Sequence, residues 1–390
     1  MSEQPLRHYR FGREQTEYRR GRGATSNSAG RYEVQRRCDI EADFHDGWST
    51  WAEDEKAART RWQDDVSRSI INRNQSPDIY FDQSVNPYRG CEHGCIYCFA
   101  RPTHTYLGHS AGLDFERVLY AKREAAELLK HELARPGYQC DPIAVGVNTD
   151  AYQPLERQLG ITRQVLEILY EARHPVFLIT KSSLIERDID LLSAMADKNL
   201  VSTSISITTF DHELARRLEP RAASPSRRLR TLATLAQHGI PVRVSVSPVI
   251  PALNEAEIDA IIAKAAAAGA CAASYGLLRL PHELATLFPQ WLQQHYPDRA
   301  ARILKALRSM RHDKLNDSTF GKRLEGEGPR AMIIRQRFEL ACRKAGISSA
   351  GRDRALDCSQ FQAPMKWRQR QSKTKADTVL RTSNGQLSLF

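Results

Sequence analysis

From about Pro77 onward, short runs of β-branched and aliphatic residues alternate with longer stretches in which aliphatics recur every three or four positions. The first texture reads as buried strand and the second as amphipathic helix. The strand candidates are AVGVN (144–148), VFLIT (176–180), VSTSISI (201–207), VRVSVSPVI (242–250) and ASYGLL (273–278), with an earlier strand near 79–89. Between them, ITRQVLEILYEAR (161–173), IERDIDLLSAMADK (185–198) and SRRLRTLATLAQHG (226–239) carry the helical period, and Gly239 is the C-cap of the last. A helix between each pair of strands requires parallel pairing through right-handed crossovers. About six such units predict an α/β fold, a partial (β/α)6 TIM-like barrel.

Within 201–207, alternation puts Ser202, Ser204 and Ser206 on one face and Thr203, Ile205 and Ile207 on the other. A row of serines weakens a packed interior and suits the wall of a polar cavity. Residues 282–345 read as mostly helical. Arg299, Arg302, Lys305, Arg308 and Arg311 suggest a basic stripe there, but steps of three precess around a helix and spread these charges over more than half its circumference. The expected organisation is a basic arm over 1–45 (disordered alone or wrapped on a neighbour), the barrel over 46–285, a helical extension over 286–350, and a polar linker with a terminal tail over 351–390.

Lys and Arg outnumber Asp and Glu by 57 to 46, a net charge of +11, which suits a polyanionic partner without defining any chemistry. No apolar run approaches the roughly 18 residues of a membrane helix, and the N-terminus lacks the apolar centre of a secretory signal, so the expected location is the cytoplasm. Of eight cysteines, Cys91, Cys95 and Cys98 cluster while the others stand apart. In a reducing compartment such a cluster points to metal or redox chemistry rather than to disulfides.

The cluster lies in RGCEHGCIYCFARPTHTYLG (89–108). Two metal centres fit three cysteines on a Gly-containing loop. Structural zinc needs a fourth ligand, for which His93 and His104 are at hand. A four-iron cubane needs a ligand on each iron, and three thiolates leave one iron open.

The C-x3-C-x-aromatic-C spacing, with Tyr97 before the third cysteine, resembles the signature of the radical S-adenosylmethionine (radical SAM) enzymes. That resemblance implies a [4Fe–4S] cluster on Cys91, Cys95 and Cys98, with the open iron chelating SAM. Reduction by an external one-electron donor then yields a 5′-deoxyadenosyl radical that abstracts hydrogen. NTDAYQPLE (148–156), TKSS (180–183), FDHELARRLEPRAASPSRRL (210–229), VSPVIPALNE (246–255) and LLRLP (277–281) resemble motifs of the branch containing spore photoproduct lyase, a DNA repair enzyme. DSTFGKRLEGEG resembles a segment of a bacterial subgroup of unassigned reaction. By position, the resemblance implies Thr149 and Asp150 beside the methionine amine of SAM, Lys181 and Ser204 or Ser206 near its carboxylate and ribose, and Tyr97 near its adenine. One departure stands out. That lyase carries a hydrogen-donating cysteine where this chain has Val147-Asn148-Thr149-Asp150, so the resemblance implies radical initiation but not thymine-dimer chemistry.

The chain ends in Gln386-Leu387-Ser388-Leu389-Phe390, apolar anchors after a polar stretch. QLSLF resembles, at all five positions, the pentapeptide by which bacterial polymerases and repair proteins bind the DNA polymerase III β sliding clamp. A flexible chain delivering such anchors to a preformed pocket is an economical recognition mode. Docking of the same residues on their own domain is the alternative. The combined expectation is a radical SAM enzyme acting on DNA, in repair or base modification, and recruited by the clamp. The alternatives are a radical SAM enzyme modifying RNA, a peptide or a small molecule, and a zinc-bearing nucleic-acid-binding protein.

Overall fold

The computed structural model describes residues 21–32, 60–349 and 356–363. Its strands are β1 (Arg61–Asp64), β2 (Ile71–Arg73), β3 (Gln83–Val85), β4 (Tyr88–Arg89), β5 (Val118–Ala121), β6 (Ile143–Val145), β7 (Val176–Thr180), β8 (Val201–Ser206), β9 (Val242–Val249) and β10 (Ala272–Leu277). The main sheet runs β10-β9-β8-β7-β6-β3-β2, parallel throughout except for β2, which pairs antiparallel with β3 at one edge. Helices Ala125–Leu133, Ile161–Glu171, Ile189–Ala196, Pro225–Gln237 and Ile258–Ala267 supply the crossovers. The architecture is the partial (β/α)6 barrel that the periodicity predicts, and each strand candidate from residue 144 onward overlaps an observed strand.

The alternation in each strand decides what faces where. Parallel partners lie side by side on one face. The register therefore sets Ile179, Ser204, Arg243 and Ala272 in one row and Ser206, Ser245 and Ser274 in the next. Val242, Val244 and Val246, the alternate positions of β9, are buried on the other face, where the helices pack. Tyr275 on that face meets Phe338 of the helix Pro329–Ala345, with ring centroids 4.7 Å apart. The inner face is thus polar along three adjacent strands. Its far end is filled by Tyr80, whose ring lies 4.9 Å from Phe177 and 6.0 Å from the Arg243 guanidinium.

An open barrel leaves strand edges that demand partners. The β10 edge is met by Ser348, whose carbonyl accepts from Ala273 N at 2.8 Å, and by Leu324, whose carbonyl accepts from Leu277 N at 2.8 Å. The segment around Leu324 also reaches across the gap, where Arg323 Nε and Gly321 N donate to the Asp78 carboxylate at 2.7 and 2.9 Å. Helices Leu284–His295, Pro297–Ser309 and Pro329–Ala345 form the extension, anchored by buried Phe288 and Trp291. The basic stripe is dispersed. Arg311 is buried and donates to Leu278 O, and Arg299 donates to Ala252 O, each over a short distance (2.7 and 2.8 Å).

A second, three-stranded sheet, β1-β5-β4, flanks the cysteine loop and has no counterpart in the sequence reading. Residues 21–32 of the basic arm are wrapped against this region. Asn27 and Asp114 exchange two hydrogen bonds of 3.0 Å, and Ser110 donates to Ser28 O at 2.5 Å. At the other terminus, residues 356–363 lie on the body rather than in a linker. Asp357 N donates to Asn199 O at 3.0 Å, Gln362 N to Ala172 O at 2.9 Å, and Phe361 packs between Tyr138 and His174. Cys38, the rest of the arm and the tail residues Gln386, Leu387, Ser388, Leu389 and Phe390 lie outside the described residues.

The wrapped arm tolerates no side chain at Gly23, because an added Cβ would sit 1.8 Å from Gly94 O in the cysteine loop. Gly23→Ala should release residues 21–32 while the barrel stays folded. Hydrogen exchange should show protection lost in 21–32 and retained in β6–β9.

Candidate functional site

Lys181 follows β7, Asp150 follows β6, Ser206 ends β8, and the cysteine loop follows β3 and β4. All therefore gather at the C-terminal ends of the strands, the end of a β/α barrel where chemistry is assembled. Cys91 and Cys95 are buried and Cys98 is half-buried, all as free thiols. Burial pushes the Cys95 thiol up to about 12 despite the Lys181 charge, and Cys91 also rises through burial, Asp150 and the other two thiols. Cys91 and Cys95, whose ionisation burial opposes, are stable as thiolates only with a compensating cation.

The loop's shape is set by Arg101. Its five N–H donors are all spent: Nε on Cys95 O at 2.8 Å, Nη1 on Ala111 O and Gly112 O at 3.1 and 2.9 Å, and Nη2 on Gly94 O and Glu116 Oε1 at 3.1 and 2.5 Å. Glu116 in turn accepts from Gly23 N at 3.0 Å and Ala24 N at 2.8 Å, which ties the wrapped arm to the loop. Gly94 turns through φ +66°, where a Cβ would press on the Glu116 carboxylate at 2.9 Å.

The TDAYQPLE stretch holds the same loop from the barrel side. Thr149 Oγ1 donates to Tyr88 O at 2.8 Å. Gln153 accepts from Glu92 N at 2.9 Å and donates to Gly90 O at 3.2 Å, bracketing Cys91 with one amide. Glu156 accepts from the Tyr88 hydroxyl and, at 2.8 Å, from Arg187. Asp150 takes Tyr152 N and Thr180 Oγ1 on one oxygen and Lys181 N and His93 Nδ1 on the other, at 2.9, 2.6, 2.8 and 3.2 Å. Four donors fill its acceptor sites. Burial alone would raise the Asp150 carboxyl, but His93 and these hydrogen bonds hold it down at about 2.

Asp150 and Thr149, expected beside the SAM amine, thus have their side chains committed within the protein, and any contact they make with SAM falls to the backbone. Lys181 is different. Among the described residues its ammonium has no hydrogen-bond partner and lies 5.8 Å from the Tyr97 ring centroid. Burial works against its charge, yet Cys95, Glu219 and Asp150 outweigh burial and raise its pKa. Ser204 and Ser206 are buried on the same inner face. Tyr97 donates its hydroxyl to Glu219, which also accepts from Thr208 Oγ1 at 2.6 Å and pairs with fully buried Arg228. The sequence reading missed Glu219 and Arg228, although both lie in the quoted FDHELARRLEPRAASPSRRL; an acid and a base nine residues apart around a turn give no periodic signal.

Among the described residues no three His, Cys, Asp or Glu side chains converge as a single ion requires. His104 Nε2 bonds Val118 O at 2.9 Å, its Nδ1 is buried without a partner among the described residues, and burial pushes its pKa down to about 4. A cubane places each ligand on a different iron, so three thiols ranged around a loop fit it without converging.

A β/α barrel with such a loop at its mouth defines an iron–sulfur enzyme. Residues 85–265 match the Radical SAM superfamily. The chain is 34% identical over 246 residues to an uncharacterized protein of Mycobacterium tuberculosis, covering 62% of this chain and 72% of that protein. A Methanocaldococcus jannaschii protein is 28% identical over 173 residues, covering 44% and 62%. Spore photoproduct lyase complexed with dinucleoside spore photoproduct shares the fold, with a TM-score of 0.53 at 13% identity over 77% of this chain and 85% of that one. The chain belongs to the radical SAM superfamily. Its cofactors are accordingly a [4Fe–4S] cluster and SAM, and when bound the cluster supplies the electron that cleaves SAM to a radical able to abstract hydrogen. Cys91, Cys95 and Cys98 would hold the cluster, and Lys181 offers an uncommitted cation for the SAM carboxylate.

Two outcomes follow from these contacts. Gln153→Ala removes the bracket around Cys91 and should lower the iron retained per chain after anaerobic reconstitution by at least half, while far-UV circular dichroism stays unchanged. Burial would raise the Glu219 carboxyl, but Arg228 and Lys181 overcome it and hold it at about 2 against an ordinary value of 4.5. This group therefore stabilises the fold fully above about pH 4.5, and the contribution fades as pH falls towards 2. Glu219→Gln should cost about 3 kcal/mol at neutral pH by stranding buried Arg228. Denaturant unfolding at stepped pH should show the difference from the parent shrinking through that window.

Proposed function

We propose that this radical SAM enzyme acts on DNA, repairing or modifying a nucleotide, and is brought there by the replication sliding clamp. The observation that carries the DNA half is the cationic, serine-lined mouth, where the Lys181 ammonium lacks a hydrogen-bond partner among the described residues above the inner rows of Ser204, Ser206, Ser245 and Ser274. A polyanion carrying a polar base suits such a cavity. The net charge of +11 and the fold shared with a lyase complexed with a dinucleoside spore photoproduct support the same reading.

The chain differs from that lyase in how a product radical would be quenched. Asn148 occupies the loop after β6, and its amide donates to Asn86 Oδ1 at 2.9 Å. Cys140 precedes β6, at the other end of the barrel, where its thiol contacts that of Cys358. No cysteine of this strand is therefore offered to the mouth, and the hydrogen returned to a product radical comes from another group.

Recruitment rests on Gln386, Leu387, Ser388, Leu389 and Phe390, whose tether would raise the local concentration of the enzyme on replicating DNA without any new contact at the active site. Purified β clamp should bind the intact chain and lose at least ten-fold in affinity when residues 386–390 are removed. Equal binding by the truncated chain would refute recruitment. Enrichment of the nucleic acid crosslinked to the protein in cells should recover DNA; recovery of RNA alone would favour an RNA-modifying enzyme with an incidental tail.

A further inference from the structure

Arg279 stands two residues after the end of β10, at the mouth of the barrel, half-buried. Among the described residues its guanidinium makes no hydrogen bond or ion pair. It lies 4.8 Å from the ring centroid of Phe99, the residue after Cys98, and that ring is 42% exposed. The charges around it are Arg323, Arg311, Asp78 and the Cys98 thiol. The acid among them is already taken, since Asp78 accepts from Arg323 Nε at 2.7 Å and from Gly321 N at 2.9 Å. Arg311 donates Nη2 to Leu278 O at 2.7 Å and Nη1 to Arg323 O at 3.1 Å, while its Nε is buried without a partner among the described residues. Two further guanidiniums thus lie near Arg279, Arg323 paired with Asp78 and Arg311 beside Asp317, and Arg279, whose side chain has no hydrogen bond or ion pair among the described residues, is half withdrawn from water.

A partly desolvated cation among like charges is costly unless an anion completes it. A guanidinium held over an aromatic ring gives up its face and keeps its N–H edge for a bidentate acceptor. Phe320, 55% exposed with Arg323 4.9 Å from its ring centroid, repeats the same pairing of aromatic and arginine beside it. Aromatic faces interleaved with cations are the surface on which single-stranded nucleic acid is held. We infer that Arg279, braced on Phe99, grips a backbone phosphate of the substrate strand and so sets which nucleotide enters the serine-lined lumen. This inference rests on the DNA reading above. The acid–base partner of Arg279 is then the substrate itself.

The test uses the full chain, reconstituted with its cluster, and the fluorescence anisotropy of a labelled single-stranded oligodeoxynucleotide titrated across a range of NaCl concentrations. Arg279→Gln should bind roughly ten-fold more weakly at low salt, as expected for a lost charged hydrogen-bonding contact. The slope of log affinity against log salt should fall by about 0.7, the value for one phosphate contact to a single strand. Arg279→Lys should keep the parental slope and lose affinity several-fold. Arg302→Gln, on an exposed face of the helix Pro297–Ser309, should change neither. An unchanged slope in Arg279→Gln overturns the inference, and so does an equal fall in Arg302→Gln, which would make the charge effect diffuse. A shifted cluster reduction potential with the slope intact would assign Arg279 to the cluster's charge instead and likewise overturns it. Should the Gln variant fail to retain iron, Phe99→Leu carries the test, with several-fold weaker binding expected and unchanged affinity counting against. Failure of the parent protein to bind any single strand overturns the inference, and failure to bind duplex DNA as well refutes the DNA reading itself, which separates the two failures.

Discussion

The cysteine loop has no regular secondary structure of its own between Arg89 and Arg101, so something other than a helix or sheet ladder must fix its shape. The buried pair Arg101–Glu116 does so, with both side chains fully withdrawn from solvent. A buried ion pair is not stabilising by default, because desolvating two charges costs several kcal/mol. Here the cost is offset by completeness: every donor of the guanidinium is satisfied, four of them by backbone carbonyls, and the carboxylate collects two amides from the wrapped arm. The consequence is geometric. The carbonyls of Gly94 and Cys95 are pinned to one rigid plane, which constrains where the intervening backbone can present its thiols.

The barrel side answers with side chains of one short motif. Thr149, Gln153 and Glu156 reach Tyr88, Gly90 and Glu92, while Asp150 reaches His93 and the end of β7. The loop is therefore held from both faces by committed groups, while the side chains of Lys181 and Arg279, which make no hydrogen bond among the described residues, face the mouth. That division separates scaffolding from ligand binding more sharply than position in a motif does. An acid such as Asp150, with four internal contacts, requires no ligand at all, whereas an ammonium without a hydrogen-bond partner among the described residues does call for one.

The barrel was legible because its strands and helices carry short-range periods. VRVSVS alternates residue by residue, with Val242, Val244 and Val246 buried on the helix-covered face and Ser245 buried on the opposite one. The polar lumen was half legible. The serines of β8 were visible, but their registry with Ser245 and Ser274 depends on which strands are neighbours. Least legible were contacts between residues far apart in sequence with no period: Glu116 with Gly23, Glu219 with Tyr97, Asp78 with Arg323. The arm illustrates this well. GRGATSN reads as a disordered basic stretch by composition, yet glycine at 23 is what allows the backbone to pass within van der Waals reach of the cysteine loop. Likewise Asp357 to Phe361, polar on average, are held by the Asp357 N to Asn199 O bond and by one aromatic that packs against both Tyr138 and His174.

The central claim is that this buried, doubly clamped loop carries a cluster that cleaves SAM. The most direct measurement is 5′-deoxyadenosine formed by the anaerobically reconstituted chain supplied with SAM and a strong one-electron reductant, with metal content determined on the same sample. The account predicts about four irons per chain, 5′-deoxyadenosine in the parent, and neither in a variant with Cys91, Cys95 and Cys98 all changed to Ala. A colourless protein with stoichiometric zinc and no 5′-deoxyadenosine, or iron content unchanged in the triple variant, would contradict it.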